Sequence, residues 1–473
     1  MAGTAVSLGA IPGPAPVPLL GARGNLIPFM RSPVAFLTSL HQRYGEIAAL
    51  ARGTANYIFV FSPEYNQQVL GNTALFYALD ADTLPIHIPP ATALARLYAG
   101  LHQMNGARHK QQRQMLLPAF HKQHVAGCRD AMVALIERQL ASWQPGQVRD
   151  LLRETRDLTL AIAVQTRLGL DPHQEGASIR ALIEQWITLI FSIPTLALPL
   201  DLPGLPYHRL LVLSERLECE ILAIIARKRA GTLDQGDILS VLLQAHDADG
   251  SRLTDAELIG QLTSLFVAGH DITARVLTWT LFLLTQHPQV MADLLDELDG
   301  LLHGATPSAA QLDELPLLDM VLKESMRILP PVLWWSRIST MPGTLGPHSL
   351  PKGAQVTVSH YITHRRPELY PQPSAFLPER WRTITPGPYE YLPFSAGPRV
   401  CPGSAAAMIE LKLTLAIMLQ RFHLALPPQA RVDLGGLMLS APKHGLPLRI
   451  ARQQRQFTKS EVRGTIRAIV DLP

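Results

Sequence analysis

The chain has 473 residues, 47% hydrophobic and 17% charged, which supplies a large core and excludes disorder over most of its length. Its 39 prolines follow no period, so collagen-like and low-complexity architectures are excluded. The formal net charge of +4 comes without a dense Lys/Arg stripe interleaved with aromatics, so nucleic acid is not an expected partner.

Met1-Ala2-Gly3 leads into Pro12, Pro14, Pro16 and Pro18 without a charged segment and apolar run, so no secretory signal is expected. A helix is predicted around Pro33 to Tyr44. Residues 45–75 read as strand-rich, with Tyr57-Ile58-Phe59-Val60-Phe61 the clearest run. Helical spacing of apolar residues recurs near 108–116, 126–143, 150–168, 176–190 and 207–229. Pro194, Pro199, Pro203 and Pro206 interrupt the pattern and predict an apolar loop over 186–206. A single long, buried helix is expected from Thr254, which forms a capping box with Glu257, to about His287, before Pro288.

A further helix spans Leu315 to Ile328 and stops at Pro330-Pro331. Strand patterns follow at 332–340 and 354–359, then a helix from about Pro402 to Arg421, then strands and turns at 435–451. No stretch of about 20 apolar residues is free of breakers, so no membrane span is expected. The three cysteines, Cys128, Cys219 and Cys401, make no disulfide framework and point to a reducing, cytoplasmic setting. The expected architecture is one large domain, mainly α with a minor β region, over residues 1–451. Residues 452–473 carry five basic and two acidic side chains and read as a solvated, partly helical extension.

The segment Phe394-Ser395-Ala396-Gly397-Pro398-Arg399-Val400-Cys401-Pro402-Gly403 carries the chemistry. A cysteine at a helix start is commonly buried and inert. The free N–H groups and helix dipole there would nevertheless favour a thiolate, and Arg399 could neutralise an anion beside it. As a whole, F-x-x-G-x-R-x-C-x-G resembles the haem-binding loop of the cytochrome P-450 family. The resemblance implies a long central helix over a buried haem b (iron protoporphyrin IX). Cys401 would be the thiolate ligand of the iron, Phe394 the aromatic beside it, Gly403 part of the same loop, and Arg399 a partner of a haem propionate.

Further segments resemble the family in its order. Lys323-Glu324-Ser325-Met326-Arg327 contains E-x-x-R, on its own an ordinary helix ion pair. Pro378-Glu379-Arg380-Trp381 resembles the P-E-R segment, whose arginine would join Glu324 and Arg327 in a buried network holding the haem loop. His109 and Arg113, on one helix face, would point at propionates, as would Arg337 and, more weakly, His364. Ala268-Gly269-His270-Asp271-Ile272-Thr273 resembles the family's A-G-x-D-T-T segment. Asp271 matches the acid, but Ile272 stands where a proton-delivering threonine is usual. Thr273 lies one residue later, about 100° round the helix, and would need a local bulge to replace it. The resemblance runs over about residues 10–451.

The family likeness implies a monooxygenase that inserts one atom of O2 into a hydrophobic small molecule. The pocket would be lined by Leu265, Ala268, Ile272, Val332, Leu333 and Trp334, with 186–206 as a lid. No flavin or nicotinamide fingerprint appears, so electrons would come from a ferredoxin with its reductase, or from a flavodoxin, docking near Arg108, Lys110, Lys122 and Arg129 of a monomer. Because Ile272 offers no hydroxyl, a peroxygenase and an isomerase or dehydratase stand as alternatives. A non-catalytic haem sensor is a third.

Overall fold

Apolar residues at helical spacing give helices wherever glycine and proline permit, and they pack around two helix-lined cores and a smaller sheet-lined one. The computed structural model describes residues 10–79, 86–231, 236–247, 250–457 and 459–472. The expected mainly α architecture with minor sheets is what forms. Helices at Pro33–Tyr44, Gly106–Leu116, Arg129–Ala141, Leu151–Leu168, Ala177–Ile190, Pro206–Arg229 and Pro316–Ile328 occupy the expected positions. Among the described residues, no helix is long and apolar enough to cross a membrane.

The main sheet has five strands in the order Ile47–Ala49, Tyr57–Val60, Gln355–Val358, Trp335–Ser339 and Phe76–Ala78. Its one parallel pairing joins Tyr57–Val60 to Gln355–Val358. Arg337 sits in mid-strand, in register with Val356 on one side and Ala78 on the other, so its position is fixed by two ladders. A three-stranded antiparallel sheet, Val148–Asp150, Pro447–Arg452 and Phe422–Ala425, closes the other end.

Four expectations are corrected. The strand-rich reading of 45–75 misses a helix at Pro63–Gly71, which Ser62 caps by accepting from the Tyr65 N–H. The long helix begins with the Thr254–Glu257 capping box, but it divides into Asp255–Gly269 and Asp271–Gln286. His270, at φ −107° and ψ −51°, stands between them. Pro288 is the start of the next helix, Pro288–Leu302, where its missing N–H costs nothing. The helix after the cysteine begins at Ser404, with Gly403 rather than Cys401 at its N-cap.

The C-terminal segment departs from expectation as well. It is not a solvated extension. Val462, Ile466 and Val470 are almost fully buried in the same core as Trp279 and Leu415. The Asp471 N–H donates to the Ser374 carbonyl, and the Val432 N–H to the Arg463 carbonyl. The basic residues are exposed while Val462, Ile466 and Val470 are buried. We expect Ile466→Ala to destabilise the domain by about 2–5 kcal/mol, the usual cost of truncating a buried isoleucine. A fall in the urea midpoint of unfolding measures it.

Candidate active site

The loop that carries Cys401 is held by its own backbone. The Cys401 N–H donates to the Phe394 carbonyl at 2.9 Å, and the Val400 N–H to Gly397 at 3.0 Å. Gly397 has φ +72°, and a Cβ there would lie 2.6 Å from the Leu70 carbonyl oxygen, so only glycine fits. Gly403 is different. A Cβ would make ordinary contacts with the Phe120 ring at 3.5 Å and with the Cys401 sulfur at 4.0 Å. A small side chain there would meet no steric conflict.

Behind this loop lies a buried carboxylate with five donors. Glu324 accepts from Arg327 Nε and Nη2 at 2.9 and 2.8 Å, Arg380 Nε at 2.9 Å, Trp381 Nε1 at 3.0 Å and the Leu377 N–H at 3.0 Å. Both members of the E-x-x-R pair are fully buried. His364 belongs to this frame rather than with the propionate candidates. Its Nε2 accepts from the Leu392 N–H at 2.7 Å, and its backbone carbonyl accepts from Arg327.

His102, Arg399 and Cys401 are accessible to water although protein surrounds them, so they line an internal cavity. Burial pushes the Cys401 thiol up. The Gly403 N–H and Arg113 act against that without overcoming it, so the local dipole alone does not make the expected thiolate. A bound cation would: a coordinating thiol is deprotonated outright.

Positive charge gathers beside this sulfur. Burial and the neighbouring Arg399 hold Arg337 down to about 9. Burial and Arg113 hold Arg399 down to about 10. His102 and His109 are both held at about 4, first by burial and then by Arg399 and other cations of the group. Arg113 donates to the Val400 carbonyl, Arg337 to Ser336, and Arg399 to Leu101, His102 and Met104. Among the described residues no carboxylate pairs with Arg337 or Arg399. Like charges gathered away from water need an anion. A planar macrocycle bearing two carboxylates and a thiolate-seeking metal meets that need, so the residues present fit haem.

The broken central helix packs beside this group, where the His102 ring meets the Ser264 hydroxyl and the Leu101 N–H donates to Gln261. Leu265, Ala268, Gly269 and Ile272 are partly accessible, whereas Thr273 and Ala274 are buried. Ile272 is thus more accessible than Thr273. Thr273 turns its hydroxyl onto the Gly269 carbonyl at 3.2 Å, and the break at His270 does not bring it to the cavity. Asp271 is clamped by Arg156 Nε at 2.7 Å and Arg275 Nε at 2.8 Å. Burial pushes its carboxyl up, but Arg275 and Arg156 outweigh that and hold it below the usual range.

Of the expected pocket residues, Val332 and Leu333 are buried and Trp334 donates to the Leu437 carbonyl. A small apolar recess opens instead between Ile183, Trp186, Leu217, Ile221 and Phe266. The 186–206 segment contains a short helix, Ile193–Ala197, and exposes Phe191, Ile193, Leu198, Leu200 and Leu202. His102 and Arg156 carry no sequence signal. Arg275, four residues after Asp271, does.

A cysteine sulfur in an internal cavity, flanked by a cation cluster and an apolar broken helix, defines a haem-thiolate protein. The profile of the family described as Cytochrome P450 matches residues 11–444, and the chain belongs to that family, whose members are monooxygenase-type oxidoreductases. Cyclooctatin synthase of Streptomyces melanosporofaciens is 30% identical over 86% of this chain and 89% of its own. Pentalenene oxygenase of Streptomyces avermitilis is 29% identical over 92% and 96%. The solved structure of retinoic acid-bound cyanobacterial CYP120A1 superposes with a TM-score of 0.80 at 25% identity, over 94% of this chain and all of that one.

Glu324→Gln leaves two buried guanidinium groups short of a counter-charge. We expect a loss of about 3–5 kcal/mol and little haem in the purified protein, read from the unfolding midpoint and the haem-to-protein ratio. Cys401→Ala is expected to abolish the thiolate signature of the ferrous–CO absorption spectrum.

Proposed function

We propose that the chain is a haem b monooxygenase that hydroxylates, or oxidises in a related way, a terpenoid or similar hydrophobic small molecule. The single observation that carries this is the cavity itself: a sulfur and a set of anion-seeking arginines, with Leu265, Ala268 and Ile272 partly accessible on the central helix that packs beside them. The names of the two Streptomyces relatives refer to terpene products and substrates, and the neighbouring structure holds retinoic acid, all of them apolar frameworks.

Cys401 would hold the iron, with Phe394 and Gly403 shaping the space around the sulfur. Arg113, Arg337 and Arg399, with His109, would hold the propionates. The bound haem supplies oxygen activation. The chain's own part is to orient and to exclude. Leu265, Ala268 and Ile272 present an apolar face that binds a substrate by burial and keeps water from it. Asp271, pinned by Arg156 and Arg275, holds the turn after His270 in place as a positioning residue, and Thr273 stays with the Gly269 carbonyl.

Electrons would come from a ferredoxin or flavodoxin-type donor. Arg108, Lys110, Lys122 and Arg129 are the candidate docking residues, although Lys122 already pairs with Asp313 and Arg129 with Asp130. A monomer in the cytoplasm suits this reading. A second reading, peroxide use or a rearrangement, draws on one observation: the accessible side chain at 272 is isoleucine.

The test is a screen of terpenoids and other apolar compounds for a shift of the ferric Soret band, followed by turnover with a ferredoxin and its reductase. Product under O2 and NAD(P)H supports the monooxygenase. Product with peroxide alone, or with no reductant, favours the second reading. Ile272→Thr is expected to raise product formed per electron consumed, because it adds a hydroxyl at the more accessible position.

A further inference from the structure

The segment before the helix Gly106–Leu116 is held from two sides. It lies directly on the central helix, with no side chain between the two backbones. A Cβ on Gly100 would stand 2.4 Å from the Gly260 carbonyl oxygen and 2.3 Å from Ser264 Cβ, and one on Gly260 would stand 2.7 Å from the Ala99 carbonyl oxygen. The Leu101 N–H donates to Gln261 Oε1 at 3.2 Å. From the cysteine loop, Arg399 donates to the carbonyls of Leu101, His102 and Met104 at 3.4, 3.1 and 2.9 Å. The backbone that carries His102 is therefore fixed, and a side chain on a fixed backbone can be aimed.

The two polar ends of His102 are committed to different elements. Its carbonyl is taken by Arg399, while its ring Nδ1 is hydrogen-bonded to the buried Ser264 on the helix Asp255–Gly269. Ser264 stands one turn before Ala268, and both Leu265 and Ala268 are partly accessible. Among the described residues nothing bonds His102 Nε2, although the residue is accessible within the interior. The bond at Nδ1 selects the tautomer, so Nε2 has a set role as donor or acceptor.

We propose that His102 is a specificity-determining residue: its Nε2 makes one hydrogen bond to the substrate, so the site selects an apolar skeleton that already carries a hydroxyl over the bare hydrocarbon. The inference rests on the monooxygenase reading above and narrows its substrate class. Burial, then Arg399 and Arg337, hold the ring at about 4, so it is neutral. A neutral imidazole offers a hydrogen bond without charge, which suits an alcohol and not a carboxylate. An alcohol both donates and accepts, so it matches Nε2 in either tautomer. In a pocket otherwise lined by Leu265, Ala268 and Ile272, one fixed polar group sets the orientation of the ligand, and a hydrocarbon leaves that group unpaired.

The experiment titrates the full-length, haem-loaded protein with cyclododecane and with cyclododecanol and reads both dissociation constants from the Soret band. Comparing the hydrocarbon-to-alcohol ratio between wild type and variants cancels the difference in hydration of the two ligands. H102F should lower that ratio at least about fivefold, the worth of one hydrogen bond, while its haem-to-protein ratio and thiolate ferrous–CO spectrum match those of wild type. H102Q, which keeps a polar group at that reach, should restore part of the preference. S264A, which leaves the ring without its orienting partner, should fall between wild type and H102F, and it decides the matter if H102F does not fold. An unchanged ratio overturns the proposal. So does an H102F protein that loses haem and keeps the preference, because the ring then serves a propionate. Wild-type, haem-loaded protein whose Soret band responds to neither compound refutes the apolar pocket of the proposed function, and this inference with it.

Discussion

The structure depends on one carboxylate. Glu324 accepts five hydrogen bonds from groups spread between residues 327 and 381, and it does so without contact with water. The two arginines it holds turn their remaining donors onto the carbonyls of His364, Pro371, Gln372, Pro373 and Ala375. An irregular stretch of backbone that forms no helix or sheet is thereby satisfied in the interior, where unpaired polar groups would be costly. That stretch leads directly into the Cys401 loop. The position of the sulfur is therefore set by an ion network some 20 residues away, not by the loop alone.

The opposite electrostatic condition holds in the cavity. Around Glu324 charges are matched, while around Cys401 they are not. Arg337 is locked in mid-sheet, Arg399 in the loop and Arg113 on a helix; after burial, Arg113 depresses Arg399 and Arg399 depresses Arg337. A protein of marginal stability does not gather unmatched cations without a binding reason. The same reasoning separates two buried acids, Asp271 and Glu410. Asp271 is clamped between arginines and stays charged, whereas Glu410 faces one arginine with an oxygen unbonded and stays neutral. Two carboxyls on neighbouring helices thus have different protonation because their surroundings differ.

Most of the helices and the site's floor were legible in the sequence, because they rest on local rules. Apolar spacing marks helix faces, the Thr254–Glu257 box marks a start, and the ten residues around Cys401 carry a pattern that few other contexts produce. The E-x-x-R pair and its third member, Arg380, were legible as a network through family resemblance. The helix at Pro63–Gly71 was missed because short apolar runs suit either period. The C-terminal segment was misjudged because its basic residues hide the apolar positions between them.

By itself the sequence determined which side chains could meet a thiolate-bound haem, and that the usual threonine is isoleucine. Local spacing and side-chain chemistry decide both. Only the tertiary structure decided where Thr273 turns, that the central helix breaks at His270, and that Arg167 reaches Gly269 from another helix. It also decided that one carboxylate oxygen of Glu410 finds no hydrogen-bond partner. Those facts depend on packing between segments more than a hundred residues apart, and no local pattern in the chain encodes such distances.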